Sequence, residues 1–275
     1  MSGEDANEFT TDLIAGWASG GCSIFASQPI DTILTRKQAG RIFKEQSRSS
    51  LTSLWRGSSA MIGAVPLQNG MLMAGYGYGK RLTENMKPND IYFGVFIGGC
   101  TGGVIQSFLM SPVELIKVNQ QIAGKSLTSA ANLVSTNLFS SFGWKGLQAT
   151  ILRDGIPHGV WFASYEYCKG KLENMDNIRE NKTDYTSLIA LSSGAVAAAT
   201  AWVVGYPFDI IKTRIQASME PKSVWQTALE IMAEAKGNPV AAFYKGLSLK
   251  LAKAIPASAI NFFVYEIVAE KLRGC

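Results

Sequence analysis

Gln28–Ala39 reads QPIDTILTRKQA, Ser111–Ile122 reads SPVELIKVNQQI and Tyr206–Ala217 reads YPFDIIKTRIQA. Each stretch carries an acid two residues after its proline and a glutamine nine residues after it. The prolines, Pro29, Pro112 and Pro207, stand 83 and 95 residues apart, and two further elements follow each in the same order. The first is an aromatic–basic–glycine triplet: Trp55-Arg56-Gly57, Trp144-Lys145-Gly146 and Tyr244-Lys245-Gly246. The second opens on a tyrosine: Tyr76-Gly77, Tyr165-Glu166 and Tyr265-Glu266. In all three copies the triplet glycine lies 20 residues before the residue after that tyrosine. Three elements recurring three times in one order mark a tandem repeat. The copies run over about 9–88, 89–180 and 181–275, and together they predict a single domain over 1–275.

The chain has 275 residues, of which 47% are hydrophobic and 17% charged. Its mean hydropathy of +0.09 lies between that of a soluble enzyme and a multi-pass membrane protein. The distribution of charge decides between them. Leu13–Ile30, Gly57–Gly79, Ile91–Val113 and Tyr185–Phe208 carry no charged residue. A hydrocarbon layer of about 30 Å needs roughly 20 apolar residues in a helix, so these four qualify as spans or come close. Two more apolar segments, Gly155–Tyr165 and Ala254–Tyr265, are flanked by Arg153, Asp154 and Lys253. Charge inside a span is costly and is tolerated where it faces a bundle interior or a wet cavity. Six spans result, two per repeat, joined within each repeat by a short helix. Ser126–Trp144 is also uncharged, but its Ser, Thr and Asn content predicts a short amphipathic or surface helix.

Pro29, Pro112 and Pro207 then fall inside the odd-numbered spans. Proline kinks a helix, and in a membrane the freed carbonyl is resatisfied by neighbouring helices. Gly16 and Gly20, Gly98 and Gly102, Gly99 and Gly103, and Ala190, Gly194 and Ala198 recur at four-residue spacing and predict close helix packing.

The composition excludes several classes. The 27 glycines lack a three-residue period, which rules out collagen, and the low charge and high apolar content rule out a disordered chain. Cys22, Cys100, Cys168 and Cys275 are scattered without a CxxC pair, so neither a zinc module nor a disulfide framework is expected. The sole histidine is His158. With no nucleophile–base set and no phosphate loop, no enzyme activity, metal or cofactor is expected. Glu4, Asp5, Glu8 and Asp12 make the start acidic, unlike a basic targeting leader, so insertion is expected to rely on internal helices. The net charge of +5 is read as interfacial lysines and arginines on anionic lipid rather than as a nucleic-acid surface.

These motifs resemble those of the mitochondrial carrier family: the triplicated Px[DE]xx[KR] signature, the [WYF][KR]G element and the [FY][DE]xx[KR] element. The resemblance covers essentially the whole chain. It implies an all-α membrane fold of six transmembrane helices in a three-fold pseudosymmetric bundle, with short matrix helices. It implies solute movement by alternating access across the mitochondrial inner membrane, with both termini toward the intermembrane space. A matrix gate is implied in which Asp31 pairs with Lys117 and Glu114 with Lys212, braced by Gln38, Gln121 and Gln216. Asp209 would take its base from position 34, which is Leu34. An opposite, cytosolic gate is implied at Lys80, Glu166, Lys169 and Glu266, with Tyr76, Tyr165 and Tyr265 adding hydrogen bonds. Gly77 and Ala269 stand where that gate wants an acid and a base, so it is the weaker one. Free N–H groups at a helix start attract phosphate. The resemblance implies that cardiolipin is held at such sites, here Gly57, Gly146 and Gly246, near Arg56, Lys145 and Lys245.

The substrate is expected at charges inside the even-numbered spans. Arg153 and Lys253 both lie 13 residues before the end of their repeat's tyrosine element, and Asp154 follows Arg153. Ala64 is the equivalent position in the first repeat, with Gln68 and Asn69 nearby. These coincide with the family's contact points, and the adjacent Arg–Asp resembles its carnitine and basic-amino-acid branch. The guanidinium fork holds a carboxylate bidentately, Lys253 adds a second positive point, and Asp154 takes an ammonium group. Trp161, Phe162 or Tyr165 offers a face for a cation. His158 is read first as a packing residue. The set favours a small zwitterionic or cationic metabolite. The incomplete gates leave a second expectation, a carrier-fold protein serving as an accessory subunit of a respiratory-chain complex.

Overall fold

The computed structural model describes residues 3–39, 51–84, 91–140, 142–175, 182–218, 220, 222–235 and 237–273. These residues form helices and connecting turns, with no strand among them. In chain order the helices are α1 (Gly3–Ala39), α2 (Ser58–Glu84), α3 (Ile91–Ile122), α4 (Leu127–Thr136) and α5 (Leu147–Glu173). They continue as α6 (Lys182–Ala217), α7 (Val224–Glu234), α8 (Pro239–Ala242) and α9 (Leu247–Arg273). A 3₁₀ turn at Leu51–Trp55 precedes α2. Each repeat supplies two long helices: α1 and α2, α3 and α5, α6 and α9. Among the described residues, Ile91–Ile122 and Leu191–Ala217 are long and apolar enough to cross a membrane by length and composition.

The side chains are sorted unlike those of a water-soluble bundle, with polar groups buried beside apolar ones and large apolar groups exposed. Large apolar residues on the long helices face outward, including Trp17, Phe25, Met73, Phe108, Leu191 and Phe263. The most buried side chains include Gln28, Gln106, Gln121, Thr32 and Thr150. In water an exposed apolar patch of this kind marks an interaction surface. In lipid it is the solvated face, while polar groups must find partners inside. The modest mean hydropathy of the sequence thus averages exposed apolar side chains with buried polar ones.

Each of the six long helices runs through one proline: Pro29, Pro66, Pro112, Pro157, Pro207 and Pro256. Sequence reasoning singled out the three in the odd-numbered helices alone. Proline has no N–H, so the carbonyl four residues before it loses its helical partner. In the first repeat two tryptophans take over that role. The Trp55 indole N–H donates to the Phe25 carbonyl at 3.1 Å, four residues before Pro29. The Trp17 indole donates to the Ile62 carbonyl at 2.9 Å, four residues before Pro66.

The starts of α2, α5 and α9 are set by the triplet glycines. Gly57, Gly146 and Gly246 hold φ of +90°, +85° and +101°, a left-handed backbone that side chains rarely adopt. The short α4 begins at Ser126, whose hydroxyl accepts from the Ser129 N–H. It buries Ala130 and Val134, in keeping with the amphipathic or surface helix expected over Ser126–Trp144. The matching α7 of the third repeat starts with a reciprocal capping box between Ser223 and Gln226.

The chain divides into two compact units, each drawing on all three repeats. One comprises Met1–Asn69, Met110–Gly146 and Thr213–Cys275, the other Gly70–Leu109 and Leu147–Lys212. In the second unit α3 is packed on two sides through glycines. A Cβ on Gly102 would lie 2.5 Å from the Leu72 carbonyl oxygen of α2. A Cβ on Gly99 would lie 2.6 Å from the His158 carbonyl oxygen of α5. Four-residue spacing did not mean contact everywhere, since Gly16 and Gly194 have open space where a Cβ would stand.

Candidate functional site

In the first unit the charges gather on Asp31 of α1. Lys117 of α3 places its Nζ 2.7 Å from Asp31 Oδ2, and Lys253 of α9 donates to Oδ1. Asp31 is therefore shared between a residue expected at the matrix gate and one expected at the substrate. Sequence spacing put Lys253 near the solute; the structure puts its ammonium on the kink carboxylate of the first repeat. Gln68 and Asn69, on α2, belong to the same unit.

The three glutamines form a closed ring across the odd helices of the first unit. Gln121 of α3 donates to the Thr32 hydroxyl of α1 at 3.0 Å. Gln38 of α1 accepts from the Thr213 hydroxyl of α6 at 3.2 Å. Gln216 of α6 donates to the Ser111 carbonyl of α3 at 3.5 Å. All three glutamines are buried. The bracing expected beneath the ion pairs takes a different form for Gln121, which reaches the neighbour of Asp31 rather than the pair itself. Thr32, Thr213 and Ser111 carry no signal in the sequence that distinguishes them from other small polar residues.

The triplet bases also point at neighbouring repeats. Arg56 Nη1 donates to the Gly124 carbonyl at 2.9 Å, just past the end of α3. Lys145 Nζ donates to the Ser218 carbonyl, just past the end of α6. Both cations thus sit at helix C-termini, where the macrodipole is negative. Burial, with a smaller contribution from Lys222, lowers the pKa of the Lys145 ammonium below its ordinary value. Lys245 is exposed. Gly57 and Gly146 are also close-packed: a Cβ would meet Lys117 Cγ at 2.8 Å and Gln216 Cγ at 3.0 Å respectively.

The second unit holds the adjacent Arg–Asp pair on α5. Arg153 Nε donates to Asp154 Oδ1 at 2.6 Å, and its Nη2 lies 2.5 Å from the same oxygen. Its Nη1 lies 3.8 Å from Asp209 Oδ1 of α6. Asp154 is 3% exposed, yet its Oδ2 has no hydrogen-bond partner among the described residues. The Asp154 carbonyl oxygen lies 2.6 Å from His158 Nδ1, and Gln106 Nε2 lies 3.2 Å from His158 Nε2. A carbonyl only accepts, so Nδ1 carries the proton and Nε2 accepts from the Gln106 amide. His158 thereby ties α3 to the backbone at Asp154. Gly103 leaves space for that backbone: a Cβ there would stand 2.1 Å from the Asp154 carbonyl oxygen.

Further along α5 the aromatic rings cluster. Tyr76 of α2 stacks on Phe162 with centroids 4.4 Å apart. Trp161 meets Phe162 edge-on at 4.9 Å and stacks on Tyr165 at 5.9 Å. Lys169 Nζ sits 5.9 Å from the centre of the Tyr165 ring. Among the described residues Glu166 and Lys169 form no ion pair with one another, and Lys80 is exposed. The side chain of Glu266 lies outside the described residues. Glu114 and Lys212 are both buried, the former in the first unit and the latter in the second.

Two long proline-bearing helices per repeat, triplicated carboxylates beside the odd prolines and a buried Arg–Asp pair define a helical solute carrier built from three copies of one unit. The chain belongs to the mitochondrial carrier protein family, whose profile matches residues 90–176 and 183–274. Those stretches are the second and third repeats. The chain is 29% identical to the mitochondrial arginine transporter BAC2 of Arabidopsis thaliana, over 95% of this chain and 91% of the relative. It is 29% identical to the mitochondrial carnitine/acylcarnitine carrier protein of Rattus norvegicus, over 93% of this chain and 92% of the relative. It is 28% identical to solute carrier family 25 member 45 of Mus musculus, over 93% of this chain and 96% of the relative. Membership makes the chain a transporter rather than an enzyme and places it in the mitochondrial inner membrane. Neither the fold nor these relatives supply an observation in favour of an accessory-subunit role.

Proposed function

We propose that the chain moves a small zwitterionic or cationic metabolite by alternating access, with both termini toward the intermembrane space. The solute class includes carnitine or acylcarnitine, a basic or methylated amino acid, and choline-like cations. The observation that carries this reading is the unpartnered Oδ2 of Asp154. A buried carboxylate with an oxygen to spare costs free energy unless a cation or donor completes it. A solute ammonium, guanidinium or quaternary ammonium group would do so. Arg153 stands beside it with a guanidinium suited to the carboxylate of the same solute. The rings of Trp161, Phe162 and Tyr165 lie farther along α5, with Tyr76 of α2 stacked on Phe162, and give a cation apolar faces to move over. Two of the relatives, a mitochondrial arginine transporter and a mitochondrial carnitine/acylcarnitine carrier, have names in keeping with that chemistry.

Thermal unfolding of the full chain in mild detergent tests the reading. A ligand that binds only the folded state stabilises by about 2.7 kcal/mol at a hundredfold excess over its Kd. L-Arginine or L-carnitine is expected to raise the unfolding midpoint, and Asp154→Asn to remove the rise. A rise with nucleotides alone, or one that persists in Asp154→Asn, contradicts it.

A further inference from the structure

The repeat pattern assigns the carboxylate beside the third proline a base at a position that this sequence fills with leucine. Asp31 and Lys117 show the pattern: an acid two residues after one proline meets a base five residues after the next, at 2.7 Å. Around the three repeats, that rule would give Asp209 the residue five after Pro29, which is Leu34. Leu34 is apolar and 2% exposed. Asp209 is 6% exposed, and a carboxylate that buried needs a compensating charge or hydrogen bonds.

A second set of cations follows its own cyclic rule. Arg153 stands seven residues after Gly146, and Lys253 stands seven after Gly246. Lys253 of the third repeat meets Asp31 of the first, and Arg153 of the second meets Asp209 of the third. Each reaches the proline-side carboxylate of the repeat that follows. The third such position, seven after Gly57, is Ala64 and has no charge to offer.

We infer that Arg153 stands in for the base missing at position 34, as a cation that holds Asp209 when the carrier is empty. Nη1 lies 3.8 Å from Asp209, while Nε and Nη2 are committed to Asp154 at 2.6 and 2.5 Å. An incoming solute carboxylate competes for the same guanidinium and releases Asp209. Arg153 is thus a positioning residue for the gate as well as a contact for the solute. Solute arrival and release of the third-repeat carboxylate become one event. The competition half of this inference rests on the solute site proposed above; the pairing of Arg153 with Asp209 in the empty protein does not.

The test uses the full chain in detergent and in liposomes. Unfolding midpoints without solute are compared for the wild type, Arg153→Gln, Asp209→Asn and the double variant. Mutual coupling between contacting residues appears as non-additivity. Asp209→Asn is expected to shift the midpoint in the Arg153→Gln background by less than a third of its shift in the wild type. Equal shifts in both backgrounds overturn the pairing. Because Arg153→Gln also strands Asp154, the cycle is repeated on Asp154→Asn, where the same non-additivity is expected and its loss overturns the pairing. Arg153→Lys serves if the glutamine variant does not fold, and it is expected to keep most of the coupling; its loss there counts against the pairing. Liposomes then report gating. Uptake of labelled L-arginine or L-carnitine is measured with and without the same solute inside. Asp209→Asn is expected to raise the unloaded-to-loaded ratio several-fold, a readout that a merely structural pair would leave unchanged. An unchanged ratio overturns the gating role. If the wild type takes up neither solute, the function proposed above fails, whereas the solute-free cycle still decides the pairing.

Discussion

At the scale of single residues, the first repeat shows how a membrane helix tolerates proline. The Phe25 and Ile62 carbonyls have lost their helical donors and accept from Trp55 and Trp17 instead. Phenylalanine keeps most of the ring while removing the N–H. Leaving an acceptor without its donor costs about 1–3 kcal/mol. Trp55→Phe is therefore expected to lower the unfolding midpoint in detergent, whereas Trp225→Phe, at an exposed position of α7, leaves it unchanged. Equal effects of the two would remove the capping role. Asp31 is the more exacting case, because it serves Lys117 and Lys253 together. Removing one partner of a buried ion pair typically costs about 3–5 kcal/mol. Asp31→Asn strands two ammonium groups, so its midpoint is expected to fall further than that of Lys117→Met or Lys253→Met. A smaller fall for Asp31→Asn than for either lysine variant contradicts a shared carboxylate.

At the scale of elements, glycine sets both where helices begin and how closely they pass. The positive φ at Gly57, Gly146 and Gly246 turns the chain from the triplet into the even helix. The bases beside two of them cap the end of the following odd helix, Arg56 at Gly124 and Lys145 at Ser218. Those two triplets are thus joints that start one helix and close another. On α3, Gly103 leaves the Asp154 carbonyl room to approach. Gly103→Ala sets a methyl group against that oxygen, and overpacking of this sort costs about 1–3 kcal/mol. It is expected to lower stability and to weaken the solute-dependent midpoint rise, although Gly103 carries no chemistry. Gly194→Ala, with open space at its Cβ, is expected to leave both measurements unchanged. An intact rise in Gly103→Ala would separate α3 packing from the solute site.

At the scale of the whole molecule, the repeat and the charge-free runs made the helical architecture legible. Spacing identified Pro29, Pro112 and Pro207 as one position in three copies, whereas the Asp31–Lys117 pair was implied only by the family resemblance; the two side chains are in contact at 2.7 Å. Spacing did not show that Lys253 rests on Asp31 or that Arg153 reaches Asp209. A repeat tells which residues are equivalent, but not which neighbour's carboxylate a long, flexible cation reaches. The indole caps were hidden for a related reason, since the donor to Phe25 is 30 residues away in the chain. The low mean hydropathy was also misleading until burial was known. Gln28, Gln106 and Gln121 are among the most buried side chains, while Phe25, Phe108 and Phe263 face outward.

The most direct measurement is uptake of labelled L-arginine and L-carnitine into liposomes containing the purified chain, with Asp154→Asn and Arg153→Gln alongside. Wild-type uptake of at least one of the two is predicted, and each substitution is expected to reduce it by tenfold or more, about 1.4 kcal/mol of lost interaction. Wild-type uptake that survives both substitutions, or a chain that moves only solutes with no cationic group, contradicts the account.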